Sequence, residues 1–497
     1  MKTLESYTVV NESVPAEIAI IEEDKDYINH YELRHTKIKD ATSVALNYLK
    51  EKIIESIQIK ISEILDPREA ENIKQRLITR AHALVQQELS GLSKEEENVI
   101  VGRLVQDMVG LGEIEFLLSD ENLEEIVVNC SREPVWVYHK KYGWLKTNIV
   151  IPTEEQIHNY ASIIGRRIGK QVTNLNPLMD AHLLSGHRVN STLFPISTKG
   201  NSITIRKFAK DPWTIIRLME NNTINSEVAA LVWLGVQYEM NVLVAGGTAS
   251  GKTSFLNSIL AFTPPNQRLI SIEDTRELQL PEFLHWTPMV TRQPNPEGKG
   301  EVTMLDLIVN SLRMRPDRIV MGEVRRQNEA EVLFEAMHTG HAVYATLHAD
   351  TSNQVRQRLI SPPIELPESM LGALHMIVVQ YRQRRTGMRR TYEVAEVVPK
   401  EDSVSMNVIY KWDPRSDKIL PVEKAHRLLE DLSLHTGMTS KEINDDLKDK
   451  RAVLEYVRSK GINNVDEVGK IVGWYYRDPE RVLSSVEKKK SLDEMLE

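Results

Sequence analysis

Apolar positions in this chain follow two spacings, and the changes between them divide it. Residues 1–40 are polar and acidic, with Glu22, Glu23, Asp24 and Asp26 close together, and read as a flexible arm. From Ala41, Val44, Leu46, Leu49, Ile53, Ile54, Ile57, Ile61 and Leu65 recur at threes and fours until Pro67 breaks the run. That spacing predicts a helix. A second helix extends to about Leu89. A third opens at Ser93, with Glu96 three residues on in capping-box spacing. Residues 41–110 therefore read as a helical bundle.

Beyond it the spacing shortens. Ile126–Asn129, Val135–Tyr138 and Gly143–Leu145 read as strands, Glu154–Arg167 as a helix, and Gly186–Leu193 and Ser202–Phe208 again as strands. Residues 111–209 are thus expected to form a mixed α/β domain, and 210–225, with Asp211-Pro212, a linker. From 226 to 400 short apolar runs alternate with helical patterns. Strands are expected at 241–245, 268–272, 318–323, 342–347 and 375–380, and helices at 253–262, 303–312, 328–339 and 351–360. Such alternation predicts a mostly parallel sheet covered on both faces. Residues 401–497 are charged and read as mostly helical, with starts at Thr439/Glu442 and Asn464/Glu467. Trp474-Tyr475-Tyr476 reads as packing.

Composition narrows the function classes. With 497 residues, 41% of them hydrophobic, a large core is available. The single Cys130 rules out a disulfide framework and a zinc site of paired Cys-x-x-Cys motifs. The best candidate for a membrane span, Ala229–Gly247, is interrupted by Gln237, Glu239 and Asn241, and Met1–Ser6 lacks a basic-then-apolar signal. A cytoplasmic protein is the expectation. A net charge of −9 and 6% aromatic residues argue against a nucleic-acid groove with stacking platforms.

The chemistry centres on Gly246-Gly247-Thr248-Ala249-Ser250-Gly251-Lys252-Thr253, which fits G-x-x-x-x-G-K-[ST] between the apolar run Val242–Ala245 and a predicted helix. Its glycines let backbone N–H groups close on phosphate oxygens, and the helix start adds partial positive charge. Lys252 would reach the β- and γ-phosphates of ATP, and the Thr253 hydroxyl would complete a Mg²⁺ shell. Gly246 through Thr253, together with Ser254, are the nucleotide-binding candidates.

Hydrolysis needs acids and positive charge as well. Ile270–Glu277 ends a buried-looking strand in Glu273, Asp274 and Glu277 around Arg276, a crowd of carboxylates that a divalent cation would relieve. Arg318–Arg325 ends an apolar strand in Glu323, with Gly322 leaving space beside it. Thr339–Asp350 carries His341 and His348, the latter closing a strand and suited to sensing a γ-phosphate. Arg382, Arg384, Arg385, Arg389 and Arg390 surround Thr386-Gly387, the pattern of a hairpin turn with basic flanks that could meet an acidic membrane partner.

These four boxes in this order, with Leu312–Arg318 leading into Gly322-Glu323, resemble the secretion superfamily ATPases: motors of type II and type IV secretion, type IV pili and the archaellum. Leu111–Glu115 and Glu124–Asn129 resemble the N-terminal half of those motors. The resemblance implies an α/β fold with a P-loop RecA-like parallel core, a homo-hexameric ring, ATP bound between two domains, and a polytopic membrane platform protein and accessory motor proteins as partners. It also implies roles. Glu273 and Glu277 lie in the box that positions water, Glu277 being favoured, and Arg276 accompanies them. Glu323 acts on Mg²⁺, with Thr253 and Asp274 as further ligands. His341 and His348 form the histidine box, and Arg188 and Arg206 reach the nucleotide. Glu273–Leu278, Pro294–Gly300 and Val379–Tyr381 look most like archaeal members, the archaellum motor first among them.

Overall fold

The computed structural model describes residues 2–23, 26–34, 40–56, 70–89, 91–167, 170–183, 186–208, 211–294, 298–490 and 494. Contacts divide the chain into residues 1–210 and 211–497.

In the first unit, β1 (Lys2–Asn11), β2 (Val14–Glu22) and β3 (His30–Arg34) continue a nine-stranded sheet ordered β1-β2-β3-β6-β5-β4-β9-β8-β7. The other strands are β4 (Leu123–Val128), β5 (Pro134–His139), β6 (Gly143–Val150), β7 (Leu178–His182), β8 (Arg188–Thr192) and β9 (Ser202–Arg206). The expected flexible arm is thus corrected to sheet. Along β2, Val14, Ala16, Ile18 and Ile20 are buried while Glu17 and Glu22 face out, so acidic residues mask a strand alternation. Tyr7 and Tyr31 both donate to Asp120 Oδ2, at 2.7 and 2.8 Å, which ties the three strands to the rest of the unit.

Helices α1 (Asp40–Ser56), α2 (Ala70–Glu88) and α3 (Lys94–Val109) pack through Leu46, Leu49, Ile53, Leu77, Leu84 and Leu104. The Ser93/Glu96 capping box forms. Ile57, Ile61, Leu65 and Pro67 of the first expected helix lie outside the described residues. Two further helices, α4 (Ile114–Ser119) and α5 (Glu154–Arg167), complete the unit.

The second unit is built on a sheet ordered β12-β11-β13-β14-β10-β15-β16-β17-β18. β10 (Val242–Gly246), β11 (Leu269–Glu273), β12 (Trp286–Val290), β13 (Arg318–Met321), β14 (Ala342–Leu347) and β15 (Met376–Arg382) run parallel. β10, β11, β13 and β14 are buried along their whole length, which is why they read as unbroken apolar runs. β16 (Arg389–Pro399), β17 (Val404–Asp413) and β18 (Lys418–Pro421) add antiparallel strands. Residues 404–421, expected within a helical region, are therefore sheet, because β16 offers an edge that propensity does not reveal. The expected linker likewise contains α6 (Ile215–Glu220), capped by Thr214 and burying Ile215, Ile216, Leu218 and Met219.

Helices α7 (Ser226–Gln237), α8 (Lys252–Leu260), α9 (Met304–Ser311), α10 (Gln327–His338) and α11 (Ser352–Ile360) cover the sheet, and α12 (Arg427–Thr436), α13 (Ser440–Ser459), α14 (Val465–Arg477) and α15 (Pro479–Glu487) pack beyond α7. Trp233 on α7 joins these layers. It stacks on Phe262 at 5.0 Å and donates to Tyr476 at 2.8 Å, with Tyr475 against its ring. Trp233→Ala should cost about 3–5 kcal/mol, the price of a large buried cavity and an orphaned hydroxyl partner. Urea unfolding of the full chain should show it. Among the described residues no helix is long and apolar enough to cross a membrane.

Candidate nucleotide-binding site

β10 feeds Gly246–Thr253 out at the carboxyl edge of the parallel sheet, where open α/β folds place ligands. Gly246 has φ +152°, and a Cβ there would stand 2.4 Å from both the Gln380 carbonyl and Ser250 Oγ, so conformation and space both demand glycine. Gly251, at φ +94°, turns the chain into α8. Thr248 and Ala249 are exposed at the loop tip, Thr253 and Ser254 half-buried on the first helical turn.

Lys252 is 8% exposed and folded back on its own loop. Its Nζ donates to the Gly246 and Gly247 carbonyls at 3.0 Å each and lies 3.2 Å from His348 Nδ1. His348 Nε2 is 3.1 Å from Glu323 Oε1. Glu323 Oε2 accepts from Arg325 Nη2 at 2.6 Å, and Arg325 Nη1 donates to Asp274 Oδ2 at 2.6 Å. One polar line therefore joins the loop lysine to acids on two other strand ends. An ammonium can only donate, so His348 accepts at Nδ1 and carries its proton at Nε2, facing Glu323. Burial, then the Lys252 charge, hold the imidazole below its ordinary pKa, while Glu323 opposes them. Burial likewise pulls Lys252 down, against the same carboxylate.

The acid box is split by its surroundings. Glu273 is 2% exposed; its Oε1 accepts the Glu277 and Leu278 N–H groups at 2.8 and 3.0 Å, and its Oε2 is unpartnered. Glu277 is exposed on the loop that Glu273 shapes. Arg276 lies 5.1 Å from the Trp286 ring on edge strand β12, so its described contact is not with the phosphate loop. Gly322 stands beside Glu273; a Cβ there would come 3.7 Å from Glu273 Cγ.

Burial pushes Glu273 up to about 7 from 4.5. Between those values the folded chain holds a proton that the unfolded chain has lost. The stability this gives is full below about pH 4.5 and is lost as pH rises through 7. Glu273→Gln is neutral throughout, so its melting midpoint should decline less than wild type between about pH 5 and 8. Equal slopes would remove Glu273 as the titrating group.

Other expected residues lie elsewhere. His341 precedes β14, with Nδ1 3.2 Å from the Ala336 carbonyl. The six residues of β14, roughly 20 Å of strand, separate it from His348 at the other end. This chain does not bring His341 to its own phosphate loop. Arg188 and Arg206 belong to the first unit, where they are cross-strand partners on β8 and β9 and Arg188 pairs with Asp180 at 2.8 Å.

The residues present fit a phosphate chain and its cation. Ser250 Oγ and Glu273 Oε2 are buried without partners, and glycines keep the loop's inner face clear. Among the described residues no group of three or more acids, histidines or cysteines could hold a metal unaided. Mg²⁺ takes one or two carboxylates and draws its other ligands from phosphate and water. Sequence reasoning gave no role to Arg325, which clamps Glu323 and Asp274, or to Asp350, whose Oδ1 would lie 3.1 Å from a Cβ on Gly247. Arg325 stands two residues past Glu323, so its charge was visible. Its two partners were not.

Residues 173–390 match the family model described as "Type II/IV secretion system protein". An uncharacterized protein of Methanocaldococcus jannaschii is 34% identical over 398 residues, spanning 78% of this chain and 71% of the relative. A putative conjugal transfer protein of Mycobacterium tuberculosis is 30% identical over 323 residues, spanning 62% of this chain and 91% of that protein. The solved ATPase DotB of Legionella pneumophila is similar at a TM-score of 0.42 and 19% identity, over 71% of this chain and 92% of that one.

Proposed function

The chain belongs to the type II/IV secretion system protein family, and from that premise we propose that it is a Mg²⁺-dependent ATPase motor. The observation that carries this reading is the unbroken line from Lys252, at the end of the phosphate loop, through His348 to Glu323. ATP would draw Lys252 off the loop carbonyls and onto its own phosphates. Thr253, Glu323 and Asp274 are the residues that would hold Mg²⁺, which supplies neutralising charge at the β- and γ-phosphates. Glu277, exposed, would orient the attacking water, and Glu273 would hold the loop that carries it. His348, bridging lysine and acid, would report loss of the γ-phosphate to β14.

The motor would work as a homo-hexamer, with Arg188 and Arg206 reaching nucleotide, beside the inner face of the membrane through a polytopic platform protein and accessory motor proteins. Among the family's branches, the archaellum motor is our first assignment; the archaeal relative with 71% of its length matched favours an archaeal branch. Transfer of macromolecules through a type IV secretion machine is the second reading, favoured by the conjugal transfer relative. Phosphate release should be measured from purified chain alone, with single-stranded nucleic acid, and with anionic vesicles. Turnover without nucleic acid supports the motor. Strict dependence on nucleic acid would replace it with a translocase, and no turnover under any condition would leave a scaffold.

A further inference from the structure

The sheet order gives the phosphate loop two unlike flanks. On one side of β10 lie β14 and β13, with His348 and Glu323 at their ends; on the other lie β15 and β16. A triphosphate with its γ end at Glu323 would extend its α-phosphate and ribose away from that flank.

Arg389 stands on the β15–β16 side. Gln380 pairs in register with Gly246, and Arg382 pairs with Arg389 across the β15–β16 hairpin, so the first residue of β16 is delivered beside the loop. Arg389 Nε donates to the Ala249 carbonyl at 3.1 Å, and its Cδ lies 3.6 Å from where a Cβ on Gly251 would stand. Its two Nη atoms have no partner among the described residues. The basic run around Thr386-Gly387 is therefore not one surface. Arg390 is 7% exposed and holds Asp417 at 2.7 Å and the Asn221 carbonyl at 3.1 Å, while Arg384 and Arg385 are exposed at the turn.

We propose that Arg389 is a nucleotide-binding residue. Its Nε fixes the loop at Ala249, and its Nη groups donate to the α-phosphate of a nucleoside di- or triphosphate. A guanidinium can serve two acceptors in one plane, which a lysine ammonium on its flexible stem does not reproduce. The assignment rests on the nucleotide reading above and extends it to the hairpin.

Calorimetric titration of the full chain with ADP, which has an α-phosphate and no γ-phosphate, tests it. Arg389→Ala should bind ADP about 10- to 100-fold more weakly, the worth of a hydrogen bond to a charged group. Arg389→Lys should fall between that variant and wild type, and Arg385→Ala should match wild type. In steady state the KM for ATP should rise in Arg389→Ala with kcat nearly kept, because the α-phosphate contact is the same before and during γ-phosphate transfer. Wild-type ADP affinity in Arg389→Ala would overturn the assignment, as would a fall in kcat with unchanged KM, which is the mark of loop distortion alone. If the alanine variant does not fold, Arg389→Lys with wild-type affinity overturns it. If wild-type chain binds no ADP, the nucleotide reading itself falls, and this assignment with it.

Discussion

Lys252→Ala is expected to abolish ATP turnover and weaken nucleotide binding together. The ammonium serves both, because it would contact the β- and γ-phosphates in the ground state and meet the charge that develops between them. Removing one such donor costs on the order of 10²- to 10³-fold in rate. In the free protein Lys252 also holds the Gly246 and Gly247 carbonyls and faces His348. Alanine strips the loop of these contacts before any ligand arrives. Phosphate release and ADP titration on the same preparation read both losses. Turnover within about tenfold of wild type would show that the loop is not the catalytic centre.

Glu323→Gln should separate what Lys252→Ala joins. Glutamine keeps the side chain's shape and can still accept from Arg325 through its one carbonyl oxygen, but its NH2 group would then face the His348 Nε2 proton, so that contact of the line is lost. What goes is the negative charge, which can no longer act on the cation or on water. ATP should therefore bind near wild-type affinity while phosphate release falls on the order of 10²-fold or more. Loss of the carboxylate also removes the group that props up the His348 pKa, so the imidazole stays neutral. Retained ATP without hydrolysis supports the role given to Glu323. Wild-type turnover refutes it.

The parallel core was legible because its strands are buried on both faces and its glycine loop has one compatible context. The five expected strands and four expected helices of 226–400 all form, within a few residues. The N-terminal strands were hidden because Glu17 and Glu22 occupy outward positions of β2, and an average over the segment reads their charge instead of the alternation beneath. β12, β17 and β18 were hidden because each pairs onto the edge of the strand before it, and their own residues carry no clean strand alternation. At the site, the same limit shows in His341 and His348, two histidines in one box that the rise of β14 holds apart.

By itself the sequence determined the phosphate loop, the acids that follow it and the family they belong to, since each depends on residue types at short, fixed spacings. Tertiary structure alone decided the partners: Arg325 across Glu323 and Asp274, Glu273 buried beneath Glu277, Arg389 against Ala249. Charge and its burial are properties of neighbours in space, and 140 residues separate Arg389 from Ala249 along the chain. The order in which strands join the sheet closes that distance, and no local pattern encodes it.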